Sequence, residues 1–302
     1  MEGNQMMKGI LIAGCAALAM VGCEKKPEVG VGFVGAPFGV TAKGEKVSLY
    51  TLKGAGGLTL EVTDFGGRVV RCWAPDKNGT MADVTLGWNT VEEYEKNGFC
   101  VGTLIGRFGN RIANGKFSLD GKDYVLACNN FPAGIGCALH GSDGGWHARV
   151  WKADPFEKGT DVGIVLSLTS PDGEGGFPGE VRVKVTYTLT AENTWRVDYA
   201  AESSAATPFA MTQHVYFNFK GEAGGSVEDH ELAVCAANYA PCDAGQIPRK
   251  IAPVAGTPFD FTTPHLVGER IDADDEVLKF GKGYDHCWVI DGEGFRKAAE
   301  LK

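Results

Sequence analysis

Four stretches carry side chains able to do chemistry, in surroundings that do not require them for packing. "MTQHVYFNF" holds His214 and Tyr216 within an apolar run. "GRFGNRIANGKF" holds Arg107, Asn110 and Arg111 in a glycine-punctuated segment. "ALHGSDGGWHARVW" places His140 where an apolar run gives way to glycines, and "GKGYDHCWVI" places Asp285 between Tyr284 and His286. A histidine with an ordinary pKa of about 6.5 gives or takes a proton near neutrality. Carboxylate, amide and guanidinium groups offer fixed acceptors and donors to a polyol. Each residue taken singly also has a structural reading: an ion pair for Arg107 or Arg111, a turn for His140, a turn cap for Asp285. None of the six histidines stands in an H-x-x-x-H or H-E-x-x-H spacing, so no metal site is expected, and the chemistry needs no cofactor.

The elements that must position these groups read as strands. From about Val47 onward, short apolar-alternating runs follow one another. "KFSLDGKDYVL" predicts a hairpin turning at Asp120-Gly121, a pair that favours a type I′ turn. "PDKNGT" predicts a second turn at Asn78-Gly79. In "VRVKVTYTLT" the residues Val181, Val183, Val185, Tyr187 and Leu189 share one face, and Arg182, Lys184, Thr186, Thr188 and Thr190 the other. "TWRVDYAA" follows with Trp195, Val197 and Tyr199 on one face. Only "TVEEYEKNG" suggests a short helical turn. The class is therefore all-β, a large antiparallel β-sandwich in one domain. The same alternation puts Phe209, Met211, Val215, Phe217 and Phe219 on an apolar face, with Gln213 the exception. Ala210, Thr212, His214, Tyr216 and Asn218 form a polar, uncharged face suited to a sugar cleft. The strand alone leaves both a structural and a catalytic His214 open.

The chain has 302 residues, 44% of them hydrophobic, which suffices for a large core. A net charge of -9 argues against a nucleic-acid binder. "MKGILIAGCAALAMVGCEKK" has a lysine, an apolar run too short to span a membrane, and then Gly22-Cys23. Residues 1–22 are read as a lipoprotein-type signal peptide and Cys23 as the lipidated first mature residue. Residues 23–36 are a linker and residues 37–302 the folded domain. The formal G-x-G-x-x-G of "GVGFVG" falls in that linker and lacks the flanking strand and helix of a nucleotide site. The protein is accordingly expected to be exported to the periplasm or cell envelope, touching membrane only through the anchor at Cys23. Cys72, Cys100, Cys128, Cys137, Cys235, Cys242 and Cys287 contain no C-x-x-C pair and read mostly as buried thiols.

Taken together and in order, "GRFGNRIANGKFSLDGKDYVLACNN", "LHG" with its downstream "RVW", "GFPGEVRVKVTYTLT", "TQHVYFNF" and "GYDH" resemble the aldose 1-epimerase (galactose mutarotase) family over about residues 37 to 302. The resemblance implies interconversion of the α and β anomers of a free hexose by ring opening and reclosure. It implies that His214 protonates the ring oxygen, with Tyr216 beside it. It further implies that Asn110, Arg111, His140 and Asp285 bind the sugar. Gln213 stands where many members have asparagine, on the face turned away from His214. No glutamate matches the family's C-terminal base, since Glu293 and Glu300 lie in the wrong context. The reading is a C-terminally truncated member, missing its last strands and slow or inactive by itself. The competing reading is a non-catalytic carbohydrate-binding protein on the same fold. An epimerase of phosphorylated hexoses is a third, which the acidic balance does not favour.

Overall fold

The computed structural model describes residues 30–98 and 100–302. The leader at 1–22, the lipidation site at Cys23 and most of the linker lie outside them. Nine-residue β1 (Gly32–Val40) opens an antiparallel sheet completed by β2 (Lys46–Lys53), β3 (Thr59–Thr63), β4 (Arg68–Pro75) and β5 (Met81–Asp83), in that spatial order. The sheet thus starts at Gly32, inside the segment read as linker. Its glycines mask the alternation, yet Gly32 to Pro37 pair in register with Lys53 to Ser48. The Asn78-Gly79 turn joins β4 to β5, with Gly79 at φ 82. Helix α1 (Val91–Asn97) starts on a capping box between Thr90 and Glu93 and stops at Gly98, which takes the left-handed conformation a glycine adopts without strain.

Shorter pieces follow: β6 (Leu104–Ile105), β7 (Arg111–Ala113), the hairpin β8 (Lys116–Leu119) and β9 (Lys122–Val125), and β10 (Cys137–Leu139). Asp120 and Gly121 both have positive φ, 52 and 75, as a type I′ turn requires. A second large sheet runs β11 (Lys152–Lys158), β12 (Asp161–Ser170), β13 (Val181–Leu189) and β14 (Trp195–Ser203), antiparallel throughout. The remaining strands are β15 (Thr212–Gln213), β16 (Glu231–Val234), β17 (Asn238–Ala240), β18 (Ala252–Pro253), β19 (His265–Leu266), β20 (Cys287–Val289) and β21 (Ala299–Leu301), with helix α2 (Glu276–Gly281) before β20.

The two large sheets pack face to face. Leu52, Leu60, Val62 and Val69 of the first meet Ile164, Leu166, Val183, Val185 and Tyr187 of the second, and Trp146 and Trp151 join the same core. The expected inward face of β13 is buried at every position. Thr188, assigned to the outer face, is buried as well, so the sheet is covered on both sides at that end. A polar bond runs through this core: Tyr187 Oη donates to the Gly67 carbonyl at 2.9 Å. Among the described residues no helix is long and apolar enough to cross a membrane. All seven described cysteines are free. Only Cys72, Cys137 and Cys242 are fully buried, and Cys235 and Cys287 are exposed.

Candidate functional site

Strands β7 and β10 pair so that Arg111 faces Leu139. Asn110 and His140 therefore sit side by side just beyond the paired ends. Both hold positive φ, 64 and 53, a conformation that costs a non-glycine residue free energy and is found disproportionately at functional sites. Two bonds hold them there. The His140 amide donates to the Asn110 carbonyl at 3.1 Å, and the Asn110 amide donates to His140 Nδ1 at 3.0 Å. Because Nδ1 accepts, the neutral ring carries its proton on Nε2, which is left free to donate. The Arg111 guanidinium is held from two sides, by Asn130 Oδ1 at 3.0 Å and Asn110 Oδ1 at 3.2 Å. Its planar fork is thereby aimed rather than free to rotate.

His214 follows directly after β15. Its amide donates to the Thr103 carbonyl and its carbonyl accepts from Gly102, both at 2.9 Å, while the Tyr216 carbonyl accepts from the Leu86 amide at 3.0 Å. The His214 and His140 rings meet edge to face, 5.1 Å between centroids at 88°. Tyr216 lies 5.2 Å from His214 on its other side. Asp285, exposed just before β20, is the carboxylate whose charge acts on both His214 and Tyr216. The structure thus brings Asn110, Arg111, His140, His214 and Tyr216 together, with Asp285 in electrostatic range.

Two expectations need correction, and the reading left open for Arg107 closes. The apolar face of the 209–219 stretch enters the core only in part: Met211 packs against it. Phe209, Phe217 and Phe219 are exposed, the last at 46%. It is Gln213 that points inward, donating to the Gly102 carbonyl at 2.6 Å. Alternation fixes which residues share a face, but not which face is covered. Asn218 is no part of a sugar face. It is 2% exposed, donates to the Gly225 carbonyl and accepts from Lys220 N, and so pins a turn. Arg107 is also structural. It is buried among carbonyls behind Gly106, where even a methyl group would lie 2.0 Å from the Trp146 ring.

Two residues escaped the sequence reading. Asn130 orients Arg111, and the polar pair Asn129-Asn130 before β10 was its only visible signal. His147 is largely buried, and its Nδ1 has no hydrogen-bond partner. It stands seven residues after His140 in the same glycine-rich segment, which was read for its first histidine alone.

Burial sets the charges here. It drives His140 down to about 3, with His214, His147 and Arg111 adding to the effect, and His147 down to about 4, with Arg68 and His214 adding to it. His214 is lowered by burial too, but its own backbone and Asp285 work in the opposite direction. At neutral pH His140 is therefore an uncharged donor. The same shifts tie stability to pH. Unfolded histidines take up protons near pH 6.5, and these two do not until about 4 and 3. The unfolded state binds more protons below 6.5, so the stabilisation is complete above that pH and is lost as pH falls toward the folded values. Between pH 7 and 5 the pair is expected to cost on the order of 2–4 kcal/mol of stability. Urea unfolding at the two pH values, with His147→Gln as the comparison, checks this; a variant with an unchanged pH slope would remove His147 from the account.

Comparison with known proteins gives a consistent picture. The sequence profile of the family described as aldose 1-epimerase matches residues 48–302. The aldose 1-epimerase of Escherichia coli K12 is 34% identical over 261 residues, which cover 85% of this chain and 73% of that one. Human galactose mutarotase is 37% identical over 236 residues, covering 78% of this chain and 65% of that one. Among solved structures, galactose 1-epimerase from Lactobacillus acidophilus NCFM superposes with a TM-score of 0.79 at 26% identity, covering 90% of this chain and 77% of the other.

Proposed function

The chain belongs to the aldose 1-epimerase family, and on that premise we propose that this site interconverts the α and β anomers of a free aldohexose such as galactose or glucose. His214 donates a proton to the ring oxygen while a carboxylate takes the proton of the C1 hydroxyl. The ring opens, the C1–C2 bond turns, and reclosure returns the proton to His214. His140 donates Nε2–H to the sugar without changing charge. Asn110 and Arg111 present fixed donors, and Asp285 accepts from hydroxyls.

The observation that carries this reading is the perpendicular His140–His214 pair with different electrostatics on each ring. One is locked neutral by the Asn110 amide and by burial. The other has a carboxylate supporting its protonated form. A mere binding site has no use for that asymmetry, because two neutral donors would serve a polyol equally well. The carboxylate that accepts the C1 proton matches no glutamate of this sequence. General-base catalysis typically contributes about 10²–10⁴ in rate, so the 302 residues alone are proposed to turn over slowly.

The test follows α-D-galactose by polarimetry with the 302-residue chain, with and without formate as a surrogate carboxylate. The expected result is slow equilibration above the spontaneous rate, accelerated by formate beyond formate's own effect. Binding of galactose with no acceleration under either condition would favour the non-catalytic sugar-binding reading. Absence of binding would dismiss both.

A further inference from the structure

Beside the sugar site lies a contact that the proposed chemistry does not use. Cys242 is 4% exposed, and its Sγ sits 3.2 Å from His286 Nε2. The two residues come from distant parts of the chain. Cys242 lies in the turn after β17, which Asp243 closes by accepting from Gly245 and Ile247. His286 stands between Asp285 and β20. Its ring is tightly bounded, edge-on to Phe259 with centroids 4.5 Å apart. Gly281 at the end of α2 has no room for a side chain, since a Cβ there would lie 2.6 Å from His286 Cε1. His286 Nδ1 is buried without a partner, so the contact with Cys242 is the ring's one polar anchor. Around this pair are the two charged groups of the site: Asp285 and Arg111 both act on the thiol, in opposite senses.

We propose that Cys242 and His286 are positioning residues for Asp285. The thiol donates its proton to Nε2, the ring is fixed against Phe259 and Gly281, and the neighbouring carboxylate is thereby held toward the sugar and His214. The protonation states fit. Burial pushes the Cys242 thiol up, so it keeps its hydrogen at neutral pH. Burial lowers His286, so the ring is neutral and Nε2 can accept. A thiol is a weak donor, but an otherwise unanchored imidazole in a shaped slot needs only one bond to select its orientation. The turn carrying Cys242 gains a direct link to the segment before β20 that carries Asp285, two segments that sequence places more than forty positions apart.

This inference rests on the proposed role of Asp285, and two readouts separate the two claims. The first is the His214 titration in ¹H–¹⁵N spectra of the intact chain, which senses the Asp285 charge whether or not sugar binds. The second is galactose affinity by calorimetry. Cys242→Ala is expected to shift the His214 midpoint to lower pH, toward that of Asp285→Asn, and to weaken galactose binding about tenfold, the scale of one hydrogen bond to a charged group. Cys242→Ser keeps a donor and is expected to restore both. Where Cys242→Ala does not fold, His286→Gln serves instead, with the same two readouts expected to move. An unmoved His214 midpoint in a folded Cys242→Ala or His286→Gln protein overturns the proposal. So does a folded Cys242→Ser protein as impaired as Cys242→Ala. Should Asp285→Asn shift the titration but leave galactose affinity unchanged, the sugar-contact role of Asp285 fails while the positioning of its charge stands.

Discussion

His214→Ala is expected to lower formate-supported galactose mutarotation by about 10²–10⁴, while galactose affinity falls far less. The asymmetry follows from the site's construction. In the proposed function sugar affinity is spread over Asn110, Arg111, His140 and Asp285, with Arg111 held from two sides. Proton transfer to the ring oxygen has one candidate, because His140 stays neutral down to about pH 3 and cannot supply a proton in the working range. A residue that acts only on the barrier lowers turnover and leaves ground-state binding nearly intact. His214→Gln refines the test, since its amide still hydrogen-bonds but does not titrate. It should bind galactose like the unsubstituted chain and turn over like the alanine variant. Polarimetry and calorimetry on the three proteins decide the matter. Equal losses in affinity and rate would reduce His214 to a binding residue.

The second large effect concerns stability. Arg107→Met is expected to cost about 3–5 kcal/mol in urea unfolding. Arg107 is 1% exposed and makes four hydrogen bonds: Nε to Ser170 Oγ at 2.9 Å, Nη1 to the Pro178 carbonyl at 3.0 Å, and Nη2 to the carbonyls of Ser170 at 3.2 Å and Pro171 at 2.7 Å. A buried acceptor left without a donor costs about 1–3 kcal/mol, and methionine strands several at once. Lysine retains the charge but not the planar fork, so Arg107→Lys should recover only part of the loss. Arg107 also precedes Asn110 by three residues, and its anchor fixes the segment from which the proposed sugar contacts project. A loss under about 1 kcal/mol for methionine would mean that water or a rearranged turn replaces the guanidinium.

These two residues mark where sequence is informative and where it is not. Arg107 and Arg111 stand four apart in one glycine-rich segment, and composition treats them alike. One is buried among carbonyls and the other is aimed at the site. Nothing local separates them, because the acceptors of Arg107 come from a turn more than sixty residues away. Local rules did succeed where the energetics are local. The Asp120-Gly121 hairpin and the short helical turn expected at "TVEEYEKNG" each depend on a few adjacent residues. Strand β13 was legible because it is central in its sheet, with one face buried at every step. The 209–219 stretch was half legible. Its alternation is real, but only Thr212 and Gln213 form a regular ladder, and the large apolar side chains lie outward. The residues of the site came from motifs held in order along the chain. Their meeting, and the distinct charge behaviour of His140 and His214, is a property of burial that spacing does not encode.

The bond from the Asn110 amide to His140 Nδ1 has a consequence for how this site tolerates change. The group that dictates the histidine's tautomer is main chain, and every amino acid except proline carries it. Substitution at position 110 can therefore remove the sugar contact proposed for Asn110, yet it leaves the proton of His140 on Nε2. What limits position 110 is only the ability to rest at a φ of 64. The proposed sugar contact and the readiness of the histidine are in this way written in separate atoms of one residue, and a lineage can alter the first without forfeiting the second.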